Sequence, residues 1–146
     1  MAKRSEIVGL KELEKTIKRL GKLPQKCVTK AARKGANIGL KAARQNAPVD
    51  EGNLKKALVL KGEKSKIKGK KVYQITFDPK MNYVLVKESK AGKRSYYPAS
   101  QEYGFQTVNG GYIPGYRYLR HAAEDNKTAI EKETVKVLTD EIDKIK

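Results

Sequence analysis

The side chains best suited to chemistry are few and scattered. His121 is the only histidine and Cys27 the only cysteine, so neither a His-rich nor a Cys-based metal site can form, and no disulfide can close within the chain. His121 follows Arg120 at the start of a helical segment and reads as structural or solvated rather than as a base. Cys27 reads as a quiet, half-buried thiol. Gly92-Lys93-Arg94-Ser95 has part of the composition of a phosphate-binding loop, but Lys87 stands where the first glycine is needed, without a strand-to-helix context. Asp50-Glu51 and Glu124-Asp125 are neighbours in sequence, whereas hydrolysis requires carboxylates that face one another across a cleft. The sequence points away from catalysis, and no catalytic, cofactor-binding or metal-ligating residue is expected.

Two segments carry binding chemistry instead. Lys61, Lys64, Lys66, Lys68, Lys70 and Lys71 put six cations into eleven residues between two strand-like runs. Such a hairpin can follow a phosphate backbone, with an affinity that falls steeply with salt. Lysine lacks the forked geometry with which arginine reads base edges, and no aromatic ring is interleaved for base stacking. These six are candidate DNA-facing residues, blind to sequence; they suit equally a hairpin that only keeps the protein soluble. Residues 96–116 hold five of the eight tyrosines, four glycines and two prolines with little regular period. Large rings on an irregular backbone suit a contact surface, and also a loop that covers a thin core.

These residues belong to a chain of 146 residues with net charge +17, a length suited to one domain over 1–146. Hydrophobic residues make up 38%, with no Trp and two Phe, so the core must be thin and aliphatic. Residues 1–80 carry 22 Lys and Arg against 7 Asp and Glu, while residues 81–146 carry 11 against 9. A polyanion or an acidic surface would therefore meet the first half. No apolar run of signal-peptide length follows the basic Met1-Ala2-Lys3-Arg4 start, and none reaches the ~18 residues of a membrane span. A reducing, aqueous compartment and no membrane partner are expected.

Periodicity supplies the elements that must position these groups. Ile7, Leu10, Leu13, Ile17 and Leu20 predict an amphipathic helix over 5–21, capped by Ser5 and stopped by Gly21 and Pro24. A second helix is predicted from Gln25 to Asn46, before Ala47-Pro48. Ala32, Gly35, Ala36, Gly39 and Ala43 fall on one side of it, with Lys30, Arg33, Lys34, Lys41 and Arg44 on the other. Each glycine costs roughly 1 kcal/mol of helix propensity, which close approach of another element would offset. That element is either the chain's own sheet or a second subunit. The turn-rich Pro48-Val49-Asp50-Glu51-Gly52-Asn53 follows. Strand periods predict extended segments at 54–60, 72–77 and from 83 to 86, an exposed loop at 88–95, and a long helix over 118–145. The order α-α-β-β-β-α predicts an α+β fold: a small, mainly antiparallel sheet packed against two long helices, with an additional N-terminal helix.

Three segments add a resemblance. The first is Gly9-Leu10-Lys11-Glu12-Leu13, leading to an Ala-rich helix. The second is Ala47-Pro48-Val49-Asp50-Glu51-Gly52-Asn53-Leu54, similar to a helix-to-strand turn of pattern A-P-v-d-t-G-x-L. The third couples Gln101-Glu102-Tyr103-Gly104, similar to v-E-f-G-t, to Ile113-Pro114-Gly115-Tyr116-Arg117-Tyr118-Leu119-Arg120-His121-Ala122, similar to P-x-x-F-L-r-p-A. In this order, over nearly the whole chain, they resemble the head–tail joining, or neck and tail-completion, proteins of long-tailed bacteriophages and prophages. Glu51, Phe105 and His121 depart from the pattern, where Thr or Ser, Thr, and Pro are usual.

The resemblance implies a structural protein of the virion, made in the host cytoplasm and not an enzyme. It would act in a ring of subunits at the head–tail junction, with other connector and tail proteins as partners and no cofactor. Rings arise from head-to-tail contacts whose rotation closes. Candidate contact residues are Gly35, Gly39, Ala43, Glu102, Tyr103, Tyr112 and Tyr116, and a cationic inner rim near passing DNA is a further expectation. Glu102, the lone anion of residues 96–116, is suited to accept bonds from backbone amides or from a neighbour's Arg or Lys. A sequence-independent nucleic-acid-binding protein and a tail-terminator protein are the alternatives.

Overall fold

The computed structural model describes residues 10–144. Ser5, Ile7 and Ile145 of the predicted helices lie outside the described residues, as do the side chains of Leu10, Leu13 and Ile17. A single helix, α1 (Leu10–Asn46), runs where two were expected, with Pro24 inside it. An interior proline removes one backbone bond and costs about 3 kcal/mol, but such prolines kink helices as well as end them. Here the flanks, Lys11-Glu12-Leu13-Glu14-Lys15 and Gln25-Lys26, are good helix formers, and the helix continues. It stops at Asn46, just before Ala47-Pro48.

Short helical turns then alternate with short strands. α2 (Asn53–Ala57) leads into β1 (Leu58–Gly62), which pairs with β2 (Tyr73–Phe77). After a 3-10 turn at Pro79–Met81, α3 (Asn82–Leu85) leads into β3 (Val86–Glu88), paired with β4 (Arg94–Tyr96). α4 (Tyr97–Tyr103) leads into β5 (Gly104–Gln106), paired with β6 (Tyr112–Pro114). Among the described residues the result is three separate antiparallel ribbons instead of one sheet. Strands of three to five residues, most of them adjoining a helical turn, offer too short a ladder to join side by side.

Two of the expected strands begin as helix. Gly52, at φ 76, caps α2, and the buried Leu54 and Ala57 stand at helical spacing. Asp78 accepts a bond from the Lys80 amide at 3.0 Å with Pro79 in the first position, so the pair that ends β2 also starts a helical turn. The last helix is divided: α5 (Tyr118–Asp125) and α6 (Lys127–Asp143) meet at Asn126. Its side-chain amide donates to the Ala122 carbonyl at 3.0 Å, the kind of local bond by which asparagine competes with a helix ladder.

The α+β class stands. The core is thin and mostly aliphatic, formed where α1 meets α5 and the β1–β2 ribbon. Ala43, Ala47, Leu54, Leu58, Tyr118 and Ala122 fill it, with Ile75, Phe77 and Leu119 at its margin. Arg44 donates to the Leu58 carbonyl at 2.6 Å and ties α1 to β1. α6 lies along α1, with Lys30 and Glu141 paired at 2.5 Å.

Candidate assembly surface and basic groove

Glu102, on α4, is only 5% exposed. Its carboxylate accepts from the backbone amides of Leu119 at 2.9 Å and Arg120 at 3.2 Å. These are first-turn donors of α5, which have no partner within the helix. The residue in the cap position, Arg117, is left-handed (φ 53) and makes no side-chain cap, so the cap comes from α4. A carboxylate there also meets the positive end of the helix dipole. Of the two partner types expected for Glu102, backbone amides are the ones present.

Around Glu102 two backbones touch. Tyr116 and Arg117 donate their amides to the carbonyls of Gln101 (2.7 Å) and Glu102 (3.1 Å). A Cβ on Gly104 would stand 2.2 Å from the Ile113 carbonyl, and one on Gly115 2.3 Å from the Glu102 carbonyl. No side chain fits at either place. The two halves of the third motif thus form one joint. Beneath it the buried Tyr118 donates to the Pro98 carbonyl at 3.2 Å. Burial, and secondarily the nearby Glu102, raises its hydroxyl pKa well above the ordinary tyrosine range. Burial also raises those of Tyr96 and Tyr97.

The β5–β6 ribbon projects from this joint, with Phe105 opposite Ile113 and Gln106 opposite Tyr112. Its tip is closed by the Thr107 amide on the Gly111 carbonyl at 2.7 Å and by the Gly111 amide on Thr107 Oγ1 at 3.0 Å. Tyr103, Tyr112 and Tyr116 are 60%, 59% and 63% exposed, and Phe105 and Ile113 are exposed too. The Arg117 guanidinium lies 5.2 Å from the centre of the Tyr103 ring, and the Tyr112 hydroxyl donates to the Tyr103 carbonyl. Tyr103 and Tyr112 are therefore neighbours and Tyr116 is exposed at the far end of the same segment, while Glu102 lies inside at their base.

Gly35, Gly39 and Ala43 are elsewhere and face inward. A Cβ on Gly35 would stand 2.1 Å from Thr134 Oγ1 and 3.2 Å from the Ile130 carbonyl; on Gly39 it would stand 3.1 Å from Ile75 Cδ1. Ala43 is fully buried in the core. The close approach that offsets the glycines comes from α6 and β2 of the same chain, so this face is covered within the monomer. Cys27 is a free, buried thiol and His121 is exposed on α5.

Lys61 lies on β1, and Lys64, Lys66, Lys68 and Lys70 lie on the connection to β2, all exposed. Lys71 turns back, donating to the Glu63 carbonyl at 2.8 Å with its ammonium 5.3 Å from the Tyr73 ring centre. The connection is fastened to α1: Gln25 accepts from the Gly69 amide at 2.8 Å and donates to the Lys70 carbonyl at 3.2 Å. Two adjoining concavities flank this fastening and share Gln25, Thr29 and Lys68. One adds Lys22, Lys26 and Arg33 of α1, the other Lys64, Lys66 and Lys70. No motif in the sequence joins the α1 cations to the loop. Their helical spacing was legible, but Gln25, which brings the two walls together, carries no signal in sequence.

The family described as "Bacteriophage HK97-gp10, putative tail-component" matches residues 11–89. That span takes in α1, the turn at residues 47–54 and the β1–β2 ribbon, and reaches β3. The chain belongs to this HK97-gp10-like family, and with it to the structural tail components of bacteriophages. No curated protein and no solved structure matches it. Among the described residues no group of three or more His, Cys, Asp or Glu side chains is placed to hold a metal ion. Among them, too, no helix is long and apolar enough to cross a membrane.

Proposed function

We propose that the protein is a neck or tail-completion subunit, one head–tail-joining-like domain that acts in a ring at the phage head–tail junction and contacts neighbouring connector and tail proteins. The observation that supports this reading is the β5–β6 ribbon with its exposed Phe105, Tyr112 and Ile113, flanked by the exposed Tyr103 and Tyr116. Large apolar side chains exposed on both faces of one projecting element are unfavourable for an isolated soluble domain and suit a contact site. Aromatic residues, enriched in interfaces, provide most of this one. The ribbon is held rigidly by the Glu102 joint at its base and by Thr107 at its tip, so little order has to be gained on docking. Successive subunits would each present the ribbon to a different surface of the next, the geometry from which closed rings arise.

The test is deletion of the gene from the parent phage, with the lysate imaged by negative-stain electron microscopy. Separate DNA-filled heads and finished tails are expected. Joined particles with tails of uncontrolled length would replace the neck reading with a tail terminator. Intact, infectious particles would overturn both.

A further inference from the structure

The geometry points to a preformed site for the phosphate backbone of double-stranded DNA, in the groove between α1 and the β1–β2 connection. One wall is Lys22, Lys26 and Arg33 of α1, the other Lys64, Lys66, Lys68 and Lys70. Among the described residues none of these seven forms an ion pair. Lys30 lies in the same lining but is already paired with Glu141, and Lys71 is turned onto Glu63 and Tyr73. No carboxylate lines either concavity among the described residues. At 1.5 Å of rise per residue, Lys22 to Arg33 spans roughly 16 Å of α1. Duplex DNA, with a phosphate every ~3.4 Å along each strand, places several charges over that length.

The frame is fixed before any ligand arrives. Gln25 fastens the connection to α1 through both its amide atoms. Ser65 closes a turn by accepting from the Ile67 amide at 3.1 Å, and Gly69 supplies a left-handed residue at φ +78. The type of cation decides between polyanions. Protein interfaces are depleted in lysine and favour arginine; the arginine fork itself grips carboxylates and phosphates alike, so the interface preference is what separates the two. Six of the seven cations are lysines, compact point charges that suit a phosphate backbone and read no bases. An acidic protein surface is the poorer fit.

The site is a property of the single subunit and does not depend on the ring, so it can fail while the junction reading stands, and the reverse. Fluorescence anisotropy of the full chain with a mixed-sequence 30-base-pair duplex, from about 50 to 200 mM salt, tests it. The expected log–log slope is about −4 to −6, the release of counterions from five or six phosphates. Lys26→Ala with Lys68→Ala, one from each wall, is expected to make the slope shallower by about 2 and to weaken binding at least tenfold at low salt. Lys132→Ala with Lys136→Ala on exposed α6 removes the same charge and should leave both unchanged. Gln25→Ala, which alters no charge, should weaken binding several-fold with a shallower slope. Equal losses in the α6 control would overturn the site in favour of net charge alone. No binding at low salt, wild-type behaviour of Gln25→Ala, or equally tight capture of polyglutamate would overturn it too.

Discussion

At Glu102 one buried carboxylate divides its oxygens between the amides of Leu119 and Arg120, and through them fixes the direction in which α5 leaves the ribbon. Glu102→Gln keeps the shape and one acceptor but turns a donor group toward an amide donor. A loss of about 1.5–3 kcal/mol is expected, the scale of a hydrogen bond to a charged group, read as a lower urea midpoint with an unchanged slope. A wild-type midpoint would mean that water caps α5 equally well. Glu102 could be singled out in the sequence because it is the lone anion among tyrosines, and of the two partner types expected of it, backbone amides are the ones present. Its burial could not be foreseen, because that depends on Gly104 lying against the backbone at Ile113 and Gly115 against the backbone at Glu102, and a glycine in sequence does not say what approaches it. The left-handed Arg117 carries even less signal, since arginine has no preference for that conformation.

Between elements, the contact of α1 with α6 turns on Gly35, where an added methyl group would meet Thr134 Oγ1. Gly35→Ala is expected to cost about 1–3 kcal/mol of stability, as overpacking does. Combining it with Thr134→Ala should recover part of the loss, because the nearer obstruction is gone and the Ile130 carbonyl stands farther off, at 3.2 Å. A double-mutant cycle by urea unfolding measures this coupling; strictly additive losses would show that the helices do not press together at this point. Hydrophobic period located the second half of α1, β2 and the closing helices well, since each turns one periodic side, buried or half-buried, toward the rest of the molecule. It failed at Leu54 and at residues 83–85, where four or five residues cannot distinguish one helical turn from a short strand. It also failed at Pro24 and Asn126, where a breaker signal was read as a stop in the first case and a local side-chain bond was overlooked in the second.

For the molecule as a whole, net charge is +17, so protonating any carboxylate adds to self-repulsion. Glu141 is the carboxylate most involved: bonds from Lys144 and Lys30 lower its pKa from 4.5 to about 2. A carboxyl whose pKa is lower in the folded state stabilises the fold above its unfolded value and loses that contribution as the pH falls. Stability should therefore decline from about pH 4.5 toward pH 2, and Glu141→Gln should flatten that stretch in thermal unfolding across the series. An identical decline in the variant would assign the acid sensitivity to other carboxylates. At this scale composition foretold a thin aliphatic core and the basic first half, but not the division into three ribbons, which depends on where each helical turn yields to a strand. The crossing at Gly35 has one more consequence, for the order of manufacture. α1 leaves the ribosome early, yet the surface that covers Gly35 emerges only when α6 follows about a hundred residues later, some 5–20 s at ordinary translation rates. Until then the nascent subunit exposes its smallest and most closely fitted surface, and a chain cut short before α6 can never close it. A chain translated through α6 closes that crossing within itself.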